Sequence, residues 1–143
     1  MKIKFLIICV LFGVLISCGQ QPKPHETKAQ TEDTINFPEI KFDTAVFDFG
    51  TILEGEQVSY VFKFQNTGKA DLLIQKVETS CGCTVPEYDK KPVKAGENGS
   101  IKVRFDSHGK DGQQYKTIKV ISNCKDNIFD LVIKGVVKQN KED

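Results

Sequence analysis

From Ile40 onward the chain consists of short runs in which apolar residues occupy every second position. In the run Ser100–Asp106 the apolar residues are Ile101, Val103 and Phe105, and charged residues fill the positions between them. A period of two places successive side chains on opposite faces of a strand, so that one face is buried. No run keeps its apolar residues at the 3.6-residue spacing of a helix over three turns. The sequence therefore predicts an all-β chain.

Six further segments carry strand signals and are separated by turn residues such as glycine and asparagine. They are Val46–Gly50, Gln57–Gly68, Asp71–Ser80, Thr84–Tyr88, Tyr115–Ser122 and Ile128–Val137. About seven short strands within roughly 100 residues are typical of an immunoglobulin-like β-sandwich. We predict such a sandwich, with antiparallel strands, over residues 41–138. An up-and-down barrel is the alternative architecture.

The first 17 residues, MKIKFLIICVLFGVLIS, differ from everything that follows. Lys2 and Lys4 precede the apolar run Phe5–Ile16, which is shorter than the roughly 20 residues that a transmembrane helix needs. A basic start followed by a short apolar stretch and small residues is typical of a secretory signal. Residues 1–17 are therefore predicted to be a signal peptide.

The sequence Leu15-Ile16-Ser17-Cys18 resembles the bacterial lipoprotein processing box. The resemblance implies cleavage before Cys18, lipidation of its sulfur and acylation of its new amine. Several acyl chains on one residue suffice for stable membrane anchoring. Since Gly19 is not a retention signal for the inner membrane, an outer-membrane anchor facing the periplasm is expected. A plain secretory signal, or an N-terminal anchor with Cys18 incidental, is the alternative.

Residues 18–40 are rich in polar residues and contain Pro22, Pro24 and Pro38, so they are predicted to be a flexible tether. Residues 139–143 form a polar tail. Removal of residues 1–17 deletes two lysines and leaves 18 basic against 19 acidic side chains, or about −1. No basic stripe is present that would recognise phosphates, so nucleic acid is not expected as a partner. The lipid at Cys18 would have to anchor the protein alone.

Several short motifs together resemble the bacterial domain of unknown function 1573 family. They are Phe47-Asp48-Phe49-Gly50, Asn66-Thr67-Gly68, Cys81-Gly82-Cys83-Thr84, Gly96-Glu97 and Ser122-Asn123. The resemblance covers residues 42–137 and departs at Cys124. The family is similar to immunoglobulin-like domains of the major-sperm-protein and cilia-associated type. This similarity implies a sandwich used for attachment, and the family name carries no activity.

The Cys81-Gly82-Cys83 motif allows three interpretations. One cysteine can pack as a small apolar residue where a strand becomes a loop, with Gly82 letting the backbone turn. The two sulfurs can instead form a thiol or labile disulfide pair. They can also offer thiolates to Cu(I) or Zn²⁺, with His108 as a third ligand. Antiparallel topology places Cys124 at the opposite end of the sandwich, too far away to pair with either cysteine.

The main hypothesis is a non-enzymatic, membrane-tethered protein-binding or structural module that needs no catalytic residue, metal or cofactor. Strand addition is its expected binding mode, and the partner is not identified by the sequence. Candidate contact surfaces are the Cys81-bearing end with the loops Gly50–Glu56 and His108–Gln114. The alternative is a thiol-redox or copper-handling lipoprotein that acts through Cys81 and Cys83.

Overall fold

The computed structural model describes residues 36–140 of the 143-residue chain. The predicted signal peptide at residues 1–17, the lipidation site Cys18 and most of the 18–40 tether lie outside the described residues. Residues 141–143 of the polar tail also lie outside them. Within residues 36–140, no helix is long and apolar enough to span a membrane.

Eight strands form two four-stranded sheets that pack face to face. One sheet has the order β1-β3-β6-β5 and the other has the order β2-β8-β7-β4. The strands are β1 Ile40–Phe42, β2 Val46–Leu53, β3 Gln57–Asn66, β4 Ile74–Thr79, β5 Thr84–Tyr88, β6 Asn98–Asp106, β7 Gly112–Ser122 and β8 Ile128–Lys138. The predicted all-β sandwich is confirmed.

The structure has one more strand than the predicted seven, and one strand pair is parallel. β1 pairs with β3, and Ile40, assigned from the sequence to the end of the tether, is buried at 7% exposure. The chain then crosses between the sheets at residues 43–45, and β2 runs parallel to β8. This crossing explains the parallel pair, because β2 enters its sheet from the other layer and not from a hairpin.

The core is built from the inward positions that the alternation predicts. Ile101, Val103 and Phe105 of β6 are fully buried and face the fully buried Ile118 and Leu131 of the other sheet. Two aromatic stacks also join the layers. Phe47 lies over Tyr60 with ring centroids 3.9 Å apart, and Phe49 lies over Phe105 at 5.5 Å. Stacked rings add to the free energy gained from buried apolar area.

The sandwich has two poles with different compositions. We call the end formed by Asn36–Glu39, Thr67–Lys69 and Asn123–Asn127 the entry pole, because the upstream chain joins the domain there. The opposite end, which we call the loop pole, consists of Leu53–Glu56, Ser80–Cys83 and Ser107–Asp111. β3 runs from the loop pole to the entry pole, and its ten residues span about 30 Å.

Candidate functional site

Cys81 and Cys83 are joined by a disulfide at the loop pole. Their Cα atoms lie 5.3 Å apart, within the range that a bridge requires. The bridge encloses only Gly82, so it restricts the unfolded chain little. A loop of this size contributes less than about 2 kcal/mol, against about 3 kcal/mol for a 15-residue loop. Cys81 and Cys83 are both half-buried, so solvent reaches the bridge.

Hydrogen bonds also hold the tight turn that carries the two cysteines. The Thr84 amide donates to the Cys81 carbonyl at 3.3 Å, and the Thr79 hydroxyl donates to the same oxygen at 3.0 Å. On the other side, the Asp106 amide donates to the Cys83 carbonyl at 2.9 Å. Gly82 does not use a positive φ here, and a side chain at this position would meet no atom within 4 Å. The turn therefore does not require glycine.

The Thr84 side chain lies beneath the disulfide. Thr84 is 2% exposed, and its hydroxyl oxygen lies 3.6 Å from Cys81 Sγ and 4.0 Å from Cys83 Sγ. Disulfide sulfurs carry no hydrogen, so the hydroxyl is the donor in both contacts. From the sequence, Thr84 was noted only as part of the family motif and as the start of a strand, with no role at the site. A polar residue at an inward β5 position, directly after the cysteine pair, was the signal that could have identified it.

The loops around the disulfide are bound to one another. Ser107 is fully buried, and its hydroxyl lies 3.1 Å from the Leu53 carbonyl and 2.7 Å from the Glu56 carbonyl. The Glu54 carboxylate accepts a hydrogen bond from the Gly109 amide at 2.6 Å. The structure thus brings the three loops that the sequence selected to one end of the molecule. Ser107, which joins its own loop to the Leu53–Glu56 loop, was not selected.

His108, the third metal ligand considered from the sequence, lies elsewhere on this pole. Its Nδ1 atom is 3.4 Å from Glu54 Oε1, and its side chain is 85% exposed. No group of three or more His, Cys, Asp or Glu side chains in residues 36–140 is arranged to hold a metal ion. In the disulfide neither sulfur is a thiolate, so this state offers Cu(I) no soft ligand.

Cys124 lies at the entry pole and is the free cysteine of the described chain. It is 8% exposed and lines a groove of about 560 Å³ together with Phe37, Ile40 and Phe129. The hydrogen bond from the Asn123 amide to the Leu73 carbonyl holds it at the start of β4, whereas Cys81 follows the end of that strand. Strand β4 therefore separates Cys124 from the disulfide.

Two sheet edges are closed to the strand addition expected from the sequence. In an antiparallel pair, residues alternate between bonding the neighbouring strand and pointing away from it. The Asp106 amide donates to the Cys83 carbonyl, so the backbone groups of Thr84, Pro86 and Tyr88 point away from β6, toward the open edge of β5. Pro86 has no amide to offer there, and Thr84 uses its own amide in the cysteine turn. Proline at an outward edge position prevents a further strand from pairing.

On the β2 edge, three backbone amides already donate to side chains of β2 or of residues close to it in the chain. The Val46 amide donates to the Thr44 hydroxyl, the Gly50 amide to the Asp48 carboxylate and the Leu53 amide to the Glu56 carboxylate. The two remaining edges are short or irregular. β1 has three residues, and β4 has a register shift between Ile74 and Lys76. These features favour binding through the loops over strand addition.

An exposed ion pair marks the outer side of the β4 edge. The Lys76 ammonium contacts the Glu78 carboxylate. This hydrogen bond, and then the charge of Glu78, raises the pKa of Lys76, while Lys76 lowers the pKa of Glu78 in the same way. Both side chains are exposed, so the pair contributes little to stability. Charged side chains on an edge strand discourage pairing with another chain.

The family model described as "Protein of unknown function (DUF1573)" matches residues 40–137. This range covers all eight strands except Lys138, the last residue of β8. A search of curated protein sequences found no match.

Several solved structures have a similar fold. A protein of unknown function from Porphyromonas gingivalis W83 has a TM-score of 0.62 and 17% identity over 71% of this chain, which spans only 47% of that protein. The ASH/PapD-like domain 7 of human CEP192 has a TM-score of 0.61 and 8% identity, covering 73% of this chain and 89% of that domain. The VesB protease of Vibrio cholerae has a TM-score of 0.53 and 17% identity, covering 73% and 32%. At these identities the likeness concerns the fold alone.

Proposed function

The chain belongs to the DUF1573 family, described as proteins of unknown function, and from this premise we propose that it is a lipid-anchored module of the bacterial cell envelope. In this proposal Cys18 carries the lipid and residues 18–35 connect it to the sandwich. The sandwich is a non-enzymatic protein-binding module, and its loop pole contacts the partner. The anchor is on the outer membrane and the module faces the periplasm.

The observation that carries this proposal is the separation of the two poles. The upstream chain joins the sandwich at Asn36–Ile40, where the Thr67 amide donates to the Glu39 carbonyl at 2.8 Å and the Lys69 amide to the Phe37 carbonyl at 3.1 Å. The loop pole lies at the other end of β3, about 30 Å away. A module tethered at its entry pole leaves the loop pole, at its far end, free to contact a partner.

The loop pole has the composition of a protein-binding surface. Leu53 is 44% exposed there, and Val85 on the neighbouring edge strand is 40% exposed. Glu54 follows Leu53 in the same loop, and its carboxylate lies 3.4 Å from His108 Nδ1, so polar side chains lie on the same pole. An apolar centre with a polar rim is the usual arrangement at protein interfaces. The hydrogen bonds of Ser107 keep these loops in a fixed shape, which lowers the entropic cost of binding.

Replacing Cys18 with serine is expected to move the protein from the membrane fraction to the soluble fraction. Without the sulfur no diacylglyceryl group can be attached, and the near-neutral mature chain has no charge that would hold it on anionic lipid. Fractionation followed by a density gradient measures the distribution and distinguishes inner from outer membrane. Cys9→Ser is the matched control and should stay in the membrane fraction. Retention of Cys18→Ser in membranes would contradict the lipid anchor.

A photo-reactive amino acid at position 108 is expected to cross-link the partner in intact cells. The His108 side chain is 85% exposed, so the replacement should not disturb the fold. The matched control is the same amino acid at Lys125, an exposed position at the entry pole. A Leu53→Ser exchange should remove the adduct, whereas Val61→Ser on the outer face of β3 should leave it unchanged. Equal adducts from positions 108 and 125, or insensitivity to Leu53→Ser, would contradict the loop-pole proposal.

A further inference from the structure

We propose that the Cys81–Cys83 disulfide is a thiol–disulfide exchange site that accepts two electrons from a dithiol. The inference goes beyond protein binding and does not depend on the lipid anchor. Three observations carry it: the accessibility of the bridge, the support of the turn by other bonds, and the position of the Thr84 hydroxyl.

The bridge is accessible to an attacking thiolate. Cys81 and Cys83 are half-buried and Gly82 between them is exposed. Apart from the two cysteines, no described residue has an atom within 4 Å of the position that a Gly82 side chain would occupy. Exchange requires the thiolate to approach one sulfur along the line of the disulfide, so exposure and access control the rate. A bridge that served only as a structural link would enclose a longer loop, since three residues add little loop entropy.

The turn holds its shape when the bridge opens. Its backbone is fixed on one side by the bonds of Thr79 and Thr84 to the Cys81 carbonyl, and on the other by the Asp106 amide at the Cys83 carbonyl. The Ser80 amide also donates to the Thr117 carbonyl at 3.0 Å. The two sulfurs therefore stay close together after reduction, and closing the bridge again requires no refolding.

Thr84 selects the sulfur that leaves. Its hydroxyl is closer to Cys81 Sγ, at 3.6 Å, than to Cys83 Sγ, at 4.0 Å. A hydroxyl that donates to a developing thiolate stabilises it, and a better leaving thiolate departs faster. The attack is therefore directed at Cys83 Sγ, and Cys81 leaves as the thiolate that Thr84 holds. Thr84 is a positioning and stabilising residue, since it makes no bond to the dithiol.

The exchange takes place in two steps, through a mixed disulfide between Cys83 and the dithiol. A thiolate of the dithiol bonds to Cys83 Sγ, the Cys81–Cys83 bond breaks, and the electron pair goes to Cys81, which takes up a proton. The second thiol of the dithiol then loses its proton and bonds to the sulfur already attached to Cys83. Cys83 leaves with the electron pair and is protonated. The dithiol is oxidised to a disulfide and the cysteine pair is reduced.

The test uses the full-length protein in detergent and dithiothreitol as the dithiol. Samples are quenched with N-ethylmaleimide at intervals and their intact masses are measured, while far-UV circular dichroism reports on the fold. We expect complete reduction of the native protein with an unchanged spectrum. A bridge that reacts only after the protein is denatured would overturn the proposal.

Thr84→Val separates the role of the hydroxyl from that of the turn. Valine matches the shape of threonine, and the side-chain contacts of the hydroxyl are with the two sulfurs, so no other buried polar group loses its partner. The loss of one hydrogen bond to a charged sulfur should slow reduction about tenfold, while Thr84→Ser should react at nearly the wild-type rate. An unchanged rate in Thr84→Val, with the native spectrum retained, would overturn the assigned role. With glutathione, the adduct should form mainly on Cys83, and a majority on Cys81 would overturn the order of attack.

Discussion

Replacing Asn66 with alanine is expected to lower the free energy of unfolding by about 3–5 kcal/mol, which corresponds to a fall of roughly 15–20 °C in Tm. Asn66 is fully buried at the end of β3. Its Oδ1 atom accepts from the amides of Gly68 at 3.1 Å and Glu39 at 3.3 Å. Its Nδ2 atom donates to the carbonyls of Ala70 at 2.8 Å and Val93 at 2.9 Å. Alanine would leave three of these groups, the Gly68 and Glu39 amides and the Ala70 carbonyl, without a partner in a poorly hydrated region. The Val93 carbonyl would keep its hydrogen bond from the Leu72 amide.

Urea unfolding followed by far-UV circular dichroism measures this loss, since the described fold is made of strands. Asn98→Ala is the matched control, because Asn98 is an exposed residue of β6 and its side chain is in none of the hydrogen bonds found. That variant should change the unfolding free energy by less than about 0.5 kcal/mol. A cost for Asn66→Ala no larger than that of the control would show that the side chain does not link these four groups.

The motifs that identified the family have mainly structural roles in this fold. Asp48 accepts from the Gly50 amide at a register shift of β2, and Gly50 has a φ of 72°. The Asn123 side chain bonds the Leu73 amide and the Asp71 carbonyl. These residues fix turns and strand ends, so they indicate the fold and not an activity. The cysteine motif is different, because its bridge adds little to the stability of a turn that is already hydrogen-bonded.

The sequence predicted the long strands well because their signal is local. An alternation such as that of β6 depends only on which face of one strand is buried, and Ile101, Val103 and Phe105 are fully buried as expected. β1 has three residues and follows Pro38, so no local period can reveal it. Its formation depends on pairing with β3, and the residues that pair with it, Phe64–Asn66, lie 22 to 26 positions later in the chain. The parallel β2–β8 pair likewise results from a distant contact.

The candidate site was predictable only in its location. Because the chain was expected to reverse direction after the strand Asp71–Ser80, the cysteine motif was predicted to lie at the same end as the loops at residues 50–56 and 108–114. In the structure these loops do form one pole. Whether the two sulfurs meet could not be read from the spacing, because an extended Cys-Gly-Cys segment holds them apart. The bond from the Thr84 amide to the Cys81 carbonyl bends the segment and brings the Cα atoms to 5.3 Å. Such a bend depends on tertiary contacts, including that of Asp106.

Replacing Gly68 with alanine is expected to detach the entry segment Asn36–Glu39 from the sandwich and to cost about 2–4 kcal/mol of stability. An added Cβ at Gly68 would lie less than 3.0 Å from the Glu39 nitrogen, the Phe37 oxygen and the carbonyl carbon of Pro38, none of which can yield as a flexible side chain would. The backbone bonds from the Thr67 and Lys69 amides to this segment would then break.

Urea unfolding measures the cost, and a glutamate-specific endopeptidase reports the detachment through faster cleavage after Glu39, which Ile40 follows. Gly82→Ala is the matched control, because an added Cβ there meets nothing within 4 Å and the residue has no positive φ. It should match the wild type in both measurements. Cleavage after Glu39 at the wild-type rate in Gly68→Ala would contradict the packing of the entry segment against Gly68. If the segment is released, the tether of the proposed anchored module gains several residues, and the sandwich can move further from its anchor.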